Sequence, residues 1–281
     1  MESIEFGPLF ESTRLSSGID YYKATMSQLA YETEPNSEVT FTFHNRGEQR
    51  LADYINPADL QSRMDQLRQI GFGYDEIDYL GSIRNTEGEA VFKNEFLDYL
   101  KNNVLPDVKV SYSAEEDDLN IETTGPWPLV TFWETIVMSE VNEAYFEGYL
   151  RANNLNPLEI YDEGDRRLSE KIEILKANPD IRFADFGTRR HFSSRWHKHV
   201  IDRLNTEVPS NFLGTSNIEF SNRLGKKPIG TFAHEMPMVF AALADARNES
   251  IRESHNKFLQ LWYKSYGNDG SIALTALYIS Q

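Results

Sequence analysis

The stretch IRFADFGTRR, residues 181–190, decides the fold because it joins a strand pattern to a polar turn. Its first six residues are mostly apolar and β-prone, as in a buried strand. Gly187 and Thr188 end that pattern, and Arg189 and Arg190 follow directly. Glycine lets the backbone approach a ligand closely, and threonine adds a hydroxyl donor. The stretch therefore predicts a β-strand whose carboxyl end carries an anion-binding turn.

The Gly-Thr pair recurs after two later apolar segments, at residues 214–215 and 230–231. Parallel strands gather their carboxyl ends on one face, where such folds bind ligands. Each pair alone is also ordinary turn chemistry, but recurrence on three successive strands favours a site. The third pair runs on into FAHE, residues 232–235. Arginines, hydroxyls and a histidine on one rim predict a site for an anionic, phosphorylated small molecule.

Strands and helices alternate along the last hundred residues. The predicted strands are 181–186, 211–213, 228–231 and 271–275, and the predicted helices are 193–205, 218–224 and segments within 236–266. This alternation is typical of an α/β fold with a parallel sheet or barrel. A (β/α)₈ barrel needs eight strands and about 250 residues, so this part of the chain has room for about half of one.

Residues 1–125 have a different pattern, which predicts an α+β domain. The predicted strands are 38–43, 108–112 and 119–122, and the predicted helices are 57–70 and 92–104. The acidic run EEDD, residues 115–118, lies between two of these strands. We interpret it as a solvated hairpin turn rather than a metal site.

The segment GPWP, residues 125–128, interrupts the pattern and predicts a boundary between domains 1–125 and 126–281. A long buried helix is expected at 129–150 and another at 165–177. The predicted core includes Trp127, Trp133 and the apolar stripe 238–243.

Composition restricts the class of protein. The chain has 44 acidic and 28 basic residues among 281, a net charge of -16, and no cysteine. Nucleic-acid or anionic-membrane binding depends on a positive field, so neither partner is expected. The absence of cysteine is consistent with a cytoplasmic protein, where disulfides are rare. The acidic start MESIE is unlike the basic start of a signal peptide. We expect a cytoplasmic protein without a membrane span.

Three nearby histidines raise the question of zinc. His197 and His199 would point about 200° apart on one helix, so they cannot chelate one ion together. The third histidine is His191. The segment after His234 does not form a His-Glu-x-x-His pattern, because Met236, Pro237 and Met238 follow Glu235. No protein-bound metal is predicted.

Five motifs in order make the chain resemble nicotinate phosphoribosyltransferase, from about residue 15 to 275. The motifs are DYYKATM at 20–26, GPW at 125–127, FGTRR at 186–190, LGTSN at 213–217 and GTFAHE at 230–235. The paired arginines and the Ala-His-Glu segment favour the nicotinate-using type over its nicotinamide-using relatives. The implied fold is an N-terminal α+β domain followed by the first half of an irregular (β/α) barrel of the type II phosphoribosyltransferase kind.

The resemblance implies displacement of pyrophosphate from phosphoribosyl pyrophosphate (PRPP) by the ring nitrogen of nicotinate. The product would be nicotinate mononucleotide, on the way to NAD. Mg²⁺ and ATP hydrolysis through a phosphohistidine are implied as well. His234 would be the phosphorylated catalytic histidine, and Glu235 could hold its other ring nitrogen, although adjacent side chains often point apart.

The resemblance also implies the binding residues. Tyr22 would stack on the nicotinate ring and reach the site of a neighbouring subunit in a homodimer. Thr231 would lie at the nicotinate carboxylate. Phosphates of PRPP or ATP would be held by Arg189 and Arg190, while three further residues line the same rim: Thr188, Thr215 and Ser216.

Members of the resembled family are substantially longer than this chain. After the strand-like segment 271–275 they continue with loops and strands that complete the site and the barrel. Two hypotheses follow. The chain is either a working enzyme subunit, alone or with a complementing C-terminal half, or an inactive fragment that acts as a binding or dimerising module.

Overall fold

The structure is a computed structural model that describes residues 14–115 and 117–267. Its fold is mixed α/β. The helices are α1 Tyr21–Thr33, α2 Pro57–Ile70, α3 Tyr74–Ser82, α4 Asn94–Asn102, α5 Trp127–Val130, α6 Trp133–Ala152, α7 Pro157–Ala177, α8 Ser194–Glu207, α9 Ile218–Arg223, α10 Glu235–Ala246 and α11 Ile251–Tyr266. The strands are β1 Glu38–Phe43, β2 Val108–Ser113, β3 Asp118–Pro126, β4 Phe183–Asp185 and β5 Phe212–Thr215.

An antiparallel sheet of order β1-β3-β2 forms the N-terminal part. Phe41 lies opposite Thr123, and Val110 lies opposite Ile121. The helix α2 packs beside β2, where the Gln61 amide donates to the Val108 carbonyl at 2.8 Å and accepts from the Val110 amide at 2.8 Å. The predicted α+β character of this part is present in the structure.

Asp118, the last residue of the acidic run 115–118, is not a solvated turn residue. Asp118 is buried and begins β3. Its carboxylate accepts hydrogen bonds from Asn45 Nδ2 at 3.0 Å and from the Ala52 amide at 2.9 Å. Burial alone would raise the pKa of Asp118, but these hydrogen bonds outweigh it and hold the pKa below its usual value. For Asp118, the prediction of a solvated residue is wrong.

A two-stranded parallel sheet, β4 beside β5, occupies the C-terminal part. The helices α7, α8 and α9 cover one face through a cluster that includes Ile172, Ile201 and Phe220. Leu213 on β5 is 48% exposed, Phe186 directly after β4 is 44% exposed, and no further strand pairs with this sheet among the described residues. The described residues therefore contain no closed barrel.

The predicted strand 228–231 is not a strand in the structure. The segment is extended and joins β5 through one hydrogen bond, from the Ile229 amide to the Thr215 carbonyl at 3.0 Å. Pro228 has no amide hydrogen to extend that pairing. The predicted strand 271–275 lies outside the described residues.

The apolar stripe 238–243 is core only in part. Phe240 is buried, whereas Met238 is 61% exposed on the outer side of α10. The prediction that the whole stripe is buried is wrong because successive side chains of a helix face different directions. Trp127 and Trp133 are buried as predicted.

The largest apolar cluster includes residues on both sides of position 125, among them Phe96 and Trp133. Helix α1 belongs to this cluster through Ala24 and to a second cluster through Met26. The division at residue 125 stays a prediction. Within 14–115 and 117–267, none of the helices combines the length and apolarity that a membrane crossing requires.

Candidate functional site

The start of α1 is where the ends of the parallel strands meet the N-terminal part. Asp20 precedes the helix and pairs across an isolated bridge with Asn217. The Tyr21 amide donates to the Ser216 carbonyl at 2.7 Å, and the Ser216 hydroxyl donates to Asp20 Oδ1 at 2.6 Å. The loop after β5 is therefore fixed against α1 by backbone and side-chain bonds.

Arg189 reaches the same place from the turn after β4. Its guanidinium lies 5.7 Å from the centre of the Tyr22 ring, and Nη1 donates to Glu134 Oε1 at 2.7 Å. Asp20 Oδ2 lies 3.8 Å from Nε. Burial alone would lower the pKa of Arg189, but Tyr22 and the two carboxylates outweigh it and raise the pKa. Tyr22 and Arg189, both predicted as site residues, are thus in contact.

The Tyr22 ring is 5% exposed and lies within its own chain. Its hydroxyl is buried without a hydrogen-bond partner in the part of the chain that the structure describes. Burial first, and the charge of Asp20 second, raise the pKa of this hydroxyl. The expected reach of Tyr22 into a neighbouring subunit stays a prediction.

Arg190 is exposed at the next position. Its amide donates to the Gly187 carbonyl at 2.9 Å, which closes the turn. Helix α8 begins only at Ser194. The paired arginines therefore lie on a turn ahead of a helix, and Arg190 is free to reach outward.

The strand-end hydroxyls are fully buried and already hydrogen-bonded. Thr215 Oγ1 donates to Asp185 Oδ2 at 2.6 Å, and Thr188 Oγ1 accepts from Asn217 Nδ2 at 3.2 Å. With the Ser216 bond to Asp20, these contacts hold the loops in shape. As substrate ligands, Thr188, Thr215 and Ser216 stay predictions.

Asp185 organises this loop cluster and was not anticipated from the sequence. Its carboxylate contacts His197 Nε2 at 2.8 Å and accepts from the Gly187 amide at 3.1 Å. Burial alone would raise its pKa, but the bonds from His197 and Thr215 lower it. A Cβ on Gly187 would lie 2.7 Å from His197 Nε2, so only glycine fits this turn without a shift.

A buried ion cluster lies on the other side of α1. Lys23 is 0% exposed, and its ammonium contacts Glu134 and, at 2.5 Å, Glu235 Oε2. Trp127 Nε1 donates to Glu235 Oε1 at 2.7 Å, and Thr131 Oγ1 donates to Oε2 at 3.0 Å. Burial alone would lower the pKa of Lys23, but the two glutamates outweigh it and raise the pKa.

Glu235 does not hold the His234 ring. Its carboxylate is occupied by Lys23, Trp127 and Thr131. His234 precedes α10 as its N-cap and has an exposed side. The two neighbours point apart because successive helical residues face different directions. The idea that Glu235 orients His234 directly is therefore wrong.

The single rim expected from the three Gly-Thr pairs is divided between two cavities. One, of about 570 Å³, is lined by Arg189, Glu134, Asn142 and the β1 side chains. The other, of about 520 Å³, is lined by Thr231, Lys226 and Lys227. Gly230 lines the second cavity and packs so closely on α1 that a Cβ would lie 3.1 Å from the Tyr22 amide nitrogen. The two cavities share no lining residue.

The histidines considered for zinc have separate partners. His197 contacts Asp185 at 2.8 Å, and His199 Nε2 contacts Asp165 Oδ1 at 2.7 Å. Among residues 14–115 and 117–267, no three His, Cys, Asp or Glu side chains are grouped as metal ligands.

Comparison with known sequences finds two family matches. The sequence model of the nicotinate phosphoribosyltransferase (NAPRTase) N-terminal domain matches residues 19–142. That of the nicotinate phosphoribosyltransferase (NAPRTase) family matches residues 181–281. A nicotinate phosphoribosyltransferase of Chromobacterium violaceum is 35% identical over 265 residues, which are 91% of this chain and 62% of the relative.

Solved structures have the same fold. Nicotinate phosphoribosyltransferase from Vibrio cholerae is similar with a TM-score of 0.73 at 26% identity, over 92% of this chain and 59% of that one. The enzyme from Porphyromonas gingivalis is similar with a TM-score of 0.74 at 22% identity, over 90% of this chain and 61% of that one.

The chain spans about three-fifths of the length of these relatives, over their N-terminal portion. The two matched segments lie on either side of α7 and together include Tyr22, Arg189 and His234. On the matched motifs and the shared fold, this chain belongs to the nicotinate phosphoribosyltransferase family.

Proposed function

We propose that this chain takes part in forming nicotinate mononucleotide and pyrophosphate from nicotinate and PRPP, in NAD synthesis. The observation that carries the proposal is Arg189. A motif of the family places it at a strand end, Glu134 and Asn142 hold it, and its guanidinium lines a cavity of about 570 Å³. A small anionic substrate fits a cavity of this size.

Arg189 suits the leaving group of the reaction. Pyrophosphate gains negative charge as its bond to ribose C1 breaks, and a fixed guanidinium stabilises that charge. The guanidinium has five N–H donors, and Glu134 takes the bond from Nη1. The donors that point to the cavity are proposed to hold phosphate oxygens, with the exposed Arg190 as a second cation.

His234 suits phosphoryl transfer from ATP. Its imidazole is exposed at the start of α10 and has no hydrogen-bond partner among the residues described. A ring nitrogen would attack the γ-phosphorus of ATP, and the bond from phosphorus to the ADP oxygen would break with ADP leaving. Water would later cleave the phosphorus–nitrogen bond and release phosphate.

Mg²⁺ is proposed as a companion of these phosphates. Mg²⁺ keeps several waters and binds substrate phosphates with one or two protein carboxylates, so it needs no cage of side chains. The described part of the chain holds no group of three metal-ligating side chains.

A product assay tests the proposal. The purified chain receives nicotinate, PRPP, Mg²⁺ and ATP, and nicotinate mononucleotide and pyrophosphate are measured by chromatography. We expect product from the chain and, from His234→Ala, only a slow rate that ATP does not stimulate. Equal rates for both proteins, with and without ATP, would contradict the phosphohistidine. Thr231 at the nicotinate carboxylate and a cytoplasmic homodimer belong to the same proposal.

A second candidate is an inactive or complementable part of such an enzyme. The observation that favours it is the parallel sheet, where Phe186 and Leu213 are 44% and 48% exposed. About two-fifths of each relative's length lies outside the matched part. If this candidate holds, a folded chain gives no product alone, and adding the C-terminal part of a relative restores it.

A further inference from the structure

Lys23 is a fully buried lysine that contacts carboxylates from two different helices. Glu134 lies in the first turn of α6, and Glu235 is the first residue of α10. A buried ammonium is costly unless it is paired and hydrogen-bonded, and here two acidic groups pair with it. The lysine therefore joins three helices, α1, α6 and α10, at a single charged atom.

Each carboxylate also contacts a part of the proposed site. Glu134 accepts from Arg189 at 2.7 Å, on the side of the 570 Å³ cavity. Glu235 follows His234 directly and begins the helix that His234 caps. A continuous set of charged contacts thus runs from Arg189 through Glu134 and Lys23 to Glu235.

The two ends of this set differ in how firmly they are held. Glu235 has two neutral donors besides Lys23, from Trp127 and Thr131. Arg189 is 26% exposed at the cavity. An anion that binds Arg189 competes with Glu134 for the guanidinium. Glu134 then interacts more strongly with the shared lysine, and the lysine interacts less strongly with Glu235.

We propose that Lys23 is a positioning residue that couples Arg189 to the start of α10, and hence to His234. The role rests on the proposed function, because it joins the arginine expected to hold pyrophosphate to the histidine expected to carry the phosphoryl group. Binding at one end changes the placement of the other through one lysine. No substrate touches Lys23 itself.

A double-mutant cycle tests the coupling without any turnover. The full chain carries labelled histidine, and the His234 ring signal is assigned by NMR with His234→Gln. The shift that Arg189→Gln causes at His234 is measured with Lys23 present and in Lys23→Met. We expect a clear shift with Lys23 and its loss in Lys23→Met. An equal shift in both backgrounds, or none in either, overturns the proposal.

Lys93→Met is the matched control, because Lys93 pairs with one glutamate, Glu32, at 2.9 Å and its side chain is 61% exposed. In this background the Arg189→Gln shift should stay as large as in the wild-type chain. Loss of the shift here as well would mean that any lysine change disturbs His234, and the specific role of Lys23 would be rejected.

Lys23→Met removes the lysine that pairs with the buried Glu235 carboxylate, while Glu134 keeps Arg189, and the variant can fail to fold. The triple variant Lys23→Met, Glu134→Gln, Glu235→Gln replaces the lysine and both glutamates together by uncharged side chains. The Arg189→Gln shift should be absent in that variant too, and its persistence contradicts the coupling. A wild-type chain that makes no product, even after the C-terminal part of a relative is added, but shows a Lys23-dependent shift rejects the proposed function and keeps the positioning role.

Discussion

At the scale of single residues, the proposed site depends on where two charged side chains are held. The Arg189 guanidinium donates to Glu134 and lies over the Tyr22 ring, and the backbone carbonyl of Arg189 accepts from Asn142 Nδ2. Asp185 fixes the turn that precedes Arg189, through His197 and the Gly187 amide. Arg189 therefore lines the cavity of about 570 Å³, and Asp185 keeps the turn in shape.

Arg189→Gln should weaken binding of pyrophosphate and PRPP. A hydrogen bond between charged groups contributes about 1.5–3 kcal/mol, so affinity should fall about 10- to 100-fold. Calorimetry with Mg²⁺-pyrophosphate measures this directly. Arg182→Gln, at an exposed arginine before β4, is the control and should bind as the wild type does. A loss of affinity for nicotinate alone would instead assign Arg189 to the nicotinate pocket.

The Asp185 carboxylate should make the free energy of unfolding depend on pH in the acid range. Its pKa is lowered in the folded state, so its contribution is present above the unfolded value of 3.8 and is lost as the pH falls through the folded value. The free energies of unfolding of the wild type and of Asp185→Asn in urea should differ by a constant amount above about pH 5, and the difference should shrink progressively as the pH falls below about 4. Asp180→Asn, at an exposed carboxylate, is the control. A difference that grows in acid would contradict the assignment.

At the scale of helices and strands, segments with a periodic apolar pattern were predicted with the correct bounds, whereas a buried helix with polar side chains was not predicted. The bounds of β1 and α2 match the prediction because their apolar positions alternate or recur with regular spacing. Helix α7 begins at Pro157, eight residues earlier than predicted, after the cap Asn156 that accepts from the Leu158 amide at 3.0 Å. The Asn-Pro pair was a usable signal for that start.

Helix α1 was not predicted, although its motif was singled out. It is buried on all sides and carries polar side chains such as Lys23 and Gln28, so no apolar stripe marks it. In its ion cluster, Lys23 contacts Glu134, which lies 111 positions later in the sequence, and Glu235, which lies 212 positions later. Sequence patterns are local, so Arg189 and Tyr22 could be proposed from motifs, whereas the lysine that links them to α10 could not.

Gly148→Ala should disturb the contact between α6 and the turn at Leu51–Asp53. A Cβ at Gly148 would lie 1.9 Å from the Tyr54 carbonyl oxygen, which is backbone and cannot turn aside. Overpacking costs about 1–3 kcal/mol, more than the roughly 1 kcal/mol that alanine gains in a helix. Thermal unfolding should show a lower Tm.

Gly81→Ala is the matched helical control for Gly148. Gly81 lies in α3, and its Cβ would meet only the Leu97 Cδ1 methyl of α4, at 3.2 Å. A side-chain end can move, so this variant should be as stable as the wild type or more so. Similar losses of stability for both variants would show that the close backbone approach at Gly148 has no special cost.

At the scale of the whole molecule, three apolar clusters share elements. Helix α1 contributes to the first and second clusters, and α9 contributes Ile218 to the first and Phe220 to the third. Separate domains divided at residue 125 would instead have separate cores. The shared helices favour a chain that loses all three clusters together.

Unfolding should therefore occur in one transition. Circular dichroism reports the helices, and tryptophan fluorescence reports all four tryptophans, Trp127, Trp133, Trp196 and Trp262, so the two denaturant midpoints should coincide. Met26→Ala, in the second cluster, should lower both midpoints equally through a cost of about 2–5 kcal/mol. Two separate transitions, with Met26→Ala moving one of them, would support independent domains on either side of residue 125.

The Gln61 amide has a consequence for how copies of this chain can associate. It occupies the Val108 carbonyl and the Val110 amide on the outer edge of β2. An open edge is a template on which another chain adds a strand, and natural sheets protect such edges against aggregation. A second copy would have to displace Gln61 before it could extend the sheet at this point. A homodimer is therefore expected to form through side-chain surfaces elsewhere, and Gln61→Ala should increase the tendency to aggregate.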